Sequence, residues 1–156
     1  MVAVLNDRLA RAASWLALAM VFLTVLVVVM RYAFKTGSIA LQESILYLHG
    51  AVIAFGVAQT LAQDGHVRVD VLYRHFSTEQ RRWVNMLGIL LLLLPVSLLL
   101  LWLCGAYAWR SWLSLEGSAE AGGLPLVFVQ KTLMPLMWLL LSLQGLAELV
   151  RLWRRH

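Results

Sequence analysis

Glu43 is the residue best placed to do chemistry, because this carboxylate opens a run of apolar residues from Ile45 to Leu61. A charge at the end of a membrane-crossing helix is costly, so it usually has a partner or a function. Two roles stay open: an ion or proton site, or a structural role in which Glu43 pairs with Arg31 or Lys35 across a short hairpin or contacts a partner protein. Gln42 belongs to the same candidate partner-interface or ion-pair group. A transport pathway normally shows broken helices with polar gaps near the middle of the bilayer. The first three predicted spans show no such features, so we favour the structural or partner role.

The other polar residues do not form a pattern typical of an enzyme active site, a redox centre or a metal site. A membrane haem needs histidine pairs that face each other, and only His49 lies within an apolar run. The spacing of His66, Asp70 and His75 matches no metal-binding motif. The single cysteine, Cys104, excludes an internal disulfide and a CxxC site. We therefore expect no enzyme activity, no cofactor and no bound metal.

The composition predicts an all-α integral membrane protein. Hydrophobic residues make up 62% of the chain and charged residues 13%, and the mean hydropathy is +0.79. The apolar residues form long blocks that are typical of bilayer-crossing helices. We predict a single membrane domain, 1–156, with short amphipathic or interfacial segments between four transmembrane helices at approximately 12–30, 41–61, 83–109 and 133–150.

The basic residues define a topology. The net charge is +5, but the basic side chains flank apolar runs, which favours contact with phospholipid head groups over nucleic acid. Four spans place both termini on one side, and the positive-inside rule makes that side cytoplasmic. Nine arginines then lie inside, against four basic residues outside: Arg31, Lys35, Arg110 and Lys131.

Short sequence patterns predict where the helices pack, begin and bend. Gly50, Ala54 and Ala58 recur at a spacing of four, which predicts a small-residue stripe where another helix packs closely. Ser38 is a candidate N-cap for the second helix and Ser77 or Thr78 for the third, and Pro95 predicts a kink in the long third helix. A helical segment lying along the membrane, with Pro125, Lys131 and Pro135, is expected to lead into the last helix.

Three motifs follow one another along the chain: Arg31-Tyr32-Ala33-Phe34, Gln42-Glu43-Ser44, and the segment that begins at Gly65 and contains His66, Arg68 and Asp70. In these motifs and in their spacing along the sequence, the chain resembles the small membrane subunit of tripartite ATP-independent periplasmic (TRAP) transporters, the DctQ family. The segment Gly65–Leu72 is the most specific part of the resemblance. One departure is that the family often has two adjacent acidic residues where this chain has Glu43 alone.

The resemblance implies a scaffold subunit in a multi-pass protein of the bacterial inner membrane. Its partners would be a large membrane subunit, which imports organic acids with sodium, and a periplasmic substrate-binding protein. Arg31 and Glu43 would act near the outer face, and the loop of Arg68 and Asp70 near the inner face. Glu116 and Glu120 are expected to meet the binding protein. The alternatives are an autonomous homodimeric exporter with Glu43 as its proton site, and a membrane electron carrier.

Overall fold

The computed structural model describes residues 2–63, 73 and 75–154, and the regular structure in this part of the chain is helical. Its long helices are α1 (Val2–Ala33), α2 (Ile39–Ala62), α3 (Thr78–Leu113) and α4 (Val127–Arg154). All four are long and apolar enough to cross a membrane, as the sequence predicts. Each predicted span falls inside one of these helices.

Identifiable caps define the helix ends. The Ser38 side chain accepts a hydrogen bond from the Leu41 amide at the start of α2. Ser77 and Gln80 form a reciprocal capping box at the start of α3, which satisfies two backbone N–H groups. After α1 and α3 the chain turns through Lys35 and Leu115, which have φ values of 54° and 45°. Both serine caps confirm the sequence prediction.

The third helix is irregular just before its proline. Residues Ile89–Leu93 form a π-helical turn between the α-helical segments Thr78–Gly88 and Leu94–Leu113. Pro95 has no N–H to donate to the preceding turn, and its ring crowds the carbonyl four residues earlier. The wider π turn lies where that disturbance is expected. The kink predicted at Pro95 stays a prediction.

Two helices extend beyond the predicted spans. α1 begins at Val2, because no glycine or proline interrupts the chain before Gly37. α4 begins at Val127 and runs through Pro135 without a break, so the expected membrane-surface segment is the first part of the last helix. Apolar length predicts the membrane-embedded part of a helix, whereas the helix itself continues as far as caps and breakers allow.

The helices pack in the order α1, α2, α4, α3. Extensive contacts join α1 to α2, α2 to α4 and α4 to α3. The α3–α4 interface is built around Ile89, Leu94 and Leu152 at one end. Further along, the hydroxyls of Ser97 and Ser142 lie 2.9 Å apart and both residues are buried. This order brings the start of α2 next to the loop that joins α3 to α4.

Candidate functional site

Glu43 is held by the α3–α4 loop (residues 114–126). The Ser118 hydroxyl donates a short hydrogen bond to Glu43 Oε1, and the Leu124 amide donates to Oε2 across 2.6 Å. Ser118 and Leu124 also pair with each other, because the Ser118 amide donates to the Leu124 carbonyl. We call these three residues the Glu43 clamp. Both carboxylate oxygens have donors, so the clamp fixes the loop to the start of α2.

A tight turn shapes the loop around the clamp. The Gly123 amide donates to the Glu120 carbonyl across 3.0 Å, and Gly122 has a φ of +80°, which favours glycine. A Cβ at Gly123 would lie 2.8 Å from Glu43 Oε1 and closer still to the Ser118 hydroxyl. Glycine is therefore required at position 123 for the loop to approach the carboxylate.

A second carboxylate joins the same loop to α4. Glu116 Oε2 lies 2.5 Å from Lys131 Nζ and accepts a hydrogen bond from the Ser111 hydroxyl across 2.7 Å. The Glu116 amide also donates to the Ser111 carbonyl, which closes the end of α3 and orients the Glu116 side chain. The hydrogen bond from Lys131, followed by that from Ser111, holds the pKa of Glu116 below its ordinary value.

Aromatic contacts strengthen this end of the bundle. Lys131 Nζ lies 4.2 Å from the centroid of the Tyr107 ring, a cation–π distance. The Trp112 indole donates to the Thr132 hydroxyl across 2.8 Å and packs edge-on against Phe128 at 4.5 Å. The end of α3, the loop and the start of α4 therefore form one connected polar and aromatic network.

The structure does not bring Arg31 to Glu43. Arg31 is exposed in the last turn of α1, and the structure shows no ion pair between it and Glu43. Gln42 is half-buried in the first turn of α2, where its backbone N–H donates to the Ser38 carbonyl. Their expected part in contacts with partner subunits remains a prediction.

The small-residue stripe packs inside the bundle. Ala54 and Ala58 are buried, and a Cβ at Gly50 would lie 3.3 Å from Leu133 of α4. Pro125, in the segment before α4, is exposed and lies beside Gly117. Pro135 is half-buried and lies within α4. The loop motif of Gly65, His66, Arg68 and Asp70, which the sequence predicts to be cytoplasmic, lies outside the described residues.

Sequence reasoning missed the partners of Glu43 and of Lys131. Ser118 is 75 residues from Glu43, and the Leu124 donor is a backbone amide, which has no side-chain signature. The glycine pair Gly122-Gly123 is the one sequence signal that marks a tight turn there. In the described part of the chain, no three His, Cys, Asp or Glu side chains come together as a metal site requires.

A family model described as "Tripartite ATP-independent periplasmic transporters, DctQ component" matches residues 20–155, which include the last 14 residues of α1 and all of the other long helices. The chain belongs to the DctQ family. Searches of curated proteins and of solved structures gave no match.

As a DctQ protein, this chain is the small membrane subunit of a TRAP transporter and not an enzyme. The family associates with a large membrane subunit and a substrate-binding protein. With its membrane-spanning helices, it is a multi-pass protein of the bacterial inner membrane.

Proposed function

We propose that this DctQ subunit is a rigid scaffold for the large subunit of a sodium-coupled importer of organic acids. The observation that carries this role is the Glu43 clamp. Both oxygens of its carboxylate accept hydrogen bonds from Ser118 and Leu124. A carboxylate that carries an ion or proton must exchange partners during transport, whereas this one joins two parts of the same chain. The clamp therefore supports a structural role.

The orientation is part of the proposal. Basic residues are more numerous on the side that holds both termini, which favours a cytoplasmic location for that side. The α3–α4 loop then faces the periplasm, where the substrate-binding protein works. Of the two acidic residues expected to meet that protein, Glu116 is paired with Lys131, whereas Glu120 is exposed. We therefore assign the docking role to Glu120.

Uptake by the complete three-part system tests the docking role. Glu120→Gln should raise the concentration of binding protein needed for half-maximal uptake, because loss of a rim charge mainly slows association. Glu79→Gln is the matched control, since Glu79 is also exposed but lies at the opposite end of α3. Equal half-maximal concentrations for the two variants would exclude Glu120 from docking.

A further inference from the structure

The start of α3 and the end of α4 lie together and carry four arginines. Arg81 and Arg82 are in the first two turns of α3, and Arg151 and Arg154 are in the last turn of α4. Two of the four are engaged locally. Arg81 Nε donates to a backbone carbonyl across 3.0 Å, and Arg151 Nη2 lies 2.6 Å from Glu148 Oε1. Arg82 and Arg154 remain.

The charges of Arg82 and Arg154 are not compensated. Arg82 Nη2 donates to the Trp153 carbonyl across 3.4 Å, which places this guanidinium beside the backbone that carries Arg154. Arg82 is half-buried and its Nε has no hydrogen-bond partner among the described residues, whereas Arg154 is exposed. Neither guanidinium pairs with a carboxylate in this part of the chain. Two permanent positive charges from two helices therefore adjoin without a negative partner.

An apolar groove begins at the same end of α4. Its volume is about 200 Å³, and the described residues that line it are Leu149, Val150, Trp153 and Arg154. Val150 and Trp153 are exposed, so the groove opens away from the bundle. Arg154 belongs both to the groove and to the pair of uncompensated charges. The arrangement therefore fits a molecule that joins a negative group to an apolar chain.

These groups lie at the depth of the lipid head groups. α4 has 28 residues, which gives a length of about 42 Å at 1.5 Å per residue. A bilayer with its head-group layers is about 40–45 Å thick, so the ends of α4 lie in those layers. Trp83 and Trp153 are exposed at this end, as tryptophans at membrane interfaces are. Leu149 lies about 7.5 Å deeper than Arg154, where the acyl chains begin.

The opposite end of the bundle has no comparable pair. Lys131 is neutralised there by Glu116. The basic residues that pair with no carboxylate among the described residues are Arg31, Lys35 and Arg110. The first two lie at the end of α1 and the third at the end of α3, with α2 and α4 packed between them. Adjacent unpaired guanidiniums beside a groove therefore distinguish the end that holds Arg82.

We propose that Arg82, Arg154 and the groove beside them form a binding site for one anionic phospholipid. The two guanidiniums hold the phosphate, whose oxygens match their paired N–H groups. One acyl chain lies along Leu149, Val150 and Trp153. A lipid with net negative charge compensates the two arginines, whereas a zwitterionic lipid brings a cation of its own. This site goes beyond the scaffold role, because it requires no partner subunit.

Native mass spectrometry of the full chain in detergent, with equal amounts of phosphatidylglycerol and phosphatidylcholine added, tests the site. The wild-type chain should retain phosphatidylglycerol in preference. The double variant Arg82→Gln/Arg154→Gln should bind it about thirtyfold more weakly, because each arginine near an anionic lipid surface contributes about 1 kcal/mol and 1.4 kcal/mol is tenfold. Arg31→Gln/Arg110→Gln is the matched control, and it should change the affinity less than threefold. Equal retention of the two lipids by the wild type, or equal losses in the two double variants, would overturn the inference.

Val150→Trp tests the groove without changing a charge. The larger side chain fills the groove from an exposed position, so phosphatidylglycerol should bind at least tenfold more weakly. Leu99→Trp, also at an exposed position, is the control and should bind as the wild type does. Unchanged binding in Val150→Trp would overturn the inference, and so would displacement of the lipid by an equal concentration of glycerol phosphate, which has no acyl chain. Both measurements use this chain alone, so their failure leaves the scaffold role intact.

Discussion

Gly123→Ala is the sharpest probe of the Glu43 clamp, because it adds one methyl group where the loop meets the carboxylate. The new Cβ would lie 2.8 Å from Glu43 Oε1 and 2.5 Å from Ser118 Cβ, and closer still to the Ser118 hydroxyl. Carbon and oxygen atoms do not approach this closely without a shift, so the Ser118 side chain and the Glu43 carboxylate must move away from the new methyl group. The movement breaks the hydrogen bonds from Ser118 and from the Leu124 amide.

The size of the effect follows from the steric conflict. Adding a methyl group to a packed site typically costs about 1–3 kcal/mol. For a chain of this length, each kcal/mol lowers the melting temperature by about 2–4 °C, so we expect a fall of about 2–12 °C. Thermal unfolding of the detergent-solubilised chain, followed by size-exclusion chromatography of heated samples, measures this fall.

Gly37→Ala is the matched control for this experiment. Gly37 lies in the loop between α1 and α2, and a Cβ there meets nothing within 4 Å. Its substitution should change the stability by less than about 0.5 kcal/mol. Equal melting temperatures for Gly123→Ala and Gly37→Ala would refute the clamp, because they would show that the loop does not rest against Glu43.

Three further predictions concern the polar contacts. Glu43→Gln should lower the melting temperature of the isolated chain, because its amide group accepts through one oxygen only; an unchanged value would count against the clamp. The folded pKa of Glu116 is lowered by Lys131, so the ionised pair stabilises above the unfolded value of about 4.3 and this stabilisation is lost as the pH falls through the folded pKa. Acid unfolding curves should show this loss in the wild type but not in Glu116→Gln. A double-mutant cycle of Ser97→Ala and Ser142→Ala, measured by unfolding in mixed micelles, should give a coupling of about 0.6 kcal/mol, and zero coupling would contradict the buried hydrogen bond.

The helices were predictable from sequence because the physics that makes them is local. Apolar runs define the spans, the serines at 38 and 77 cap α2 and α3, and Pro95 disturbs α3 near its own position. Each of these signals acts within about one helical turn of the residue that carries it. Helix type and approximate position therefore follow from the order of residues alone.

The clamp was not predictable in the same way. Sequence proximity favours Arg31 as the partner of Glu43, because a short hairpin joins them. The observed donors are Ser118 and the Leu124 amide, 75 and 81 residues away, and they arrive only because α4 packs between α2 and α3. Helix order is a property of tertiary packing, and a backbone amide gives no residue-specific signal.

The central claim is that this chain supports a transport subunit and does not itself move solute. Flux measured in proteoliposomes under a sodium gradient tests it most directly, with this chain alone, with the large subunit and binding protein alone, and with all three together. We expect organic-acid uptake with all three proteins, and none with this chain alone. Solute flux through vesicles that contain only this chain would contradict the account.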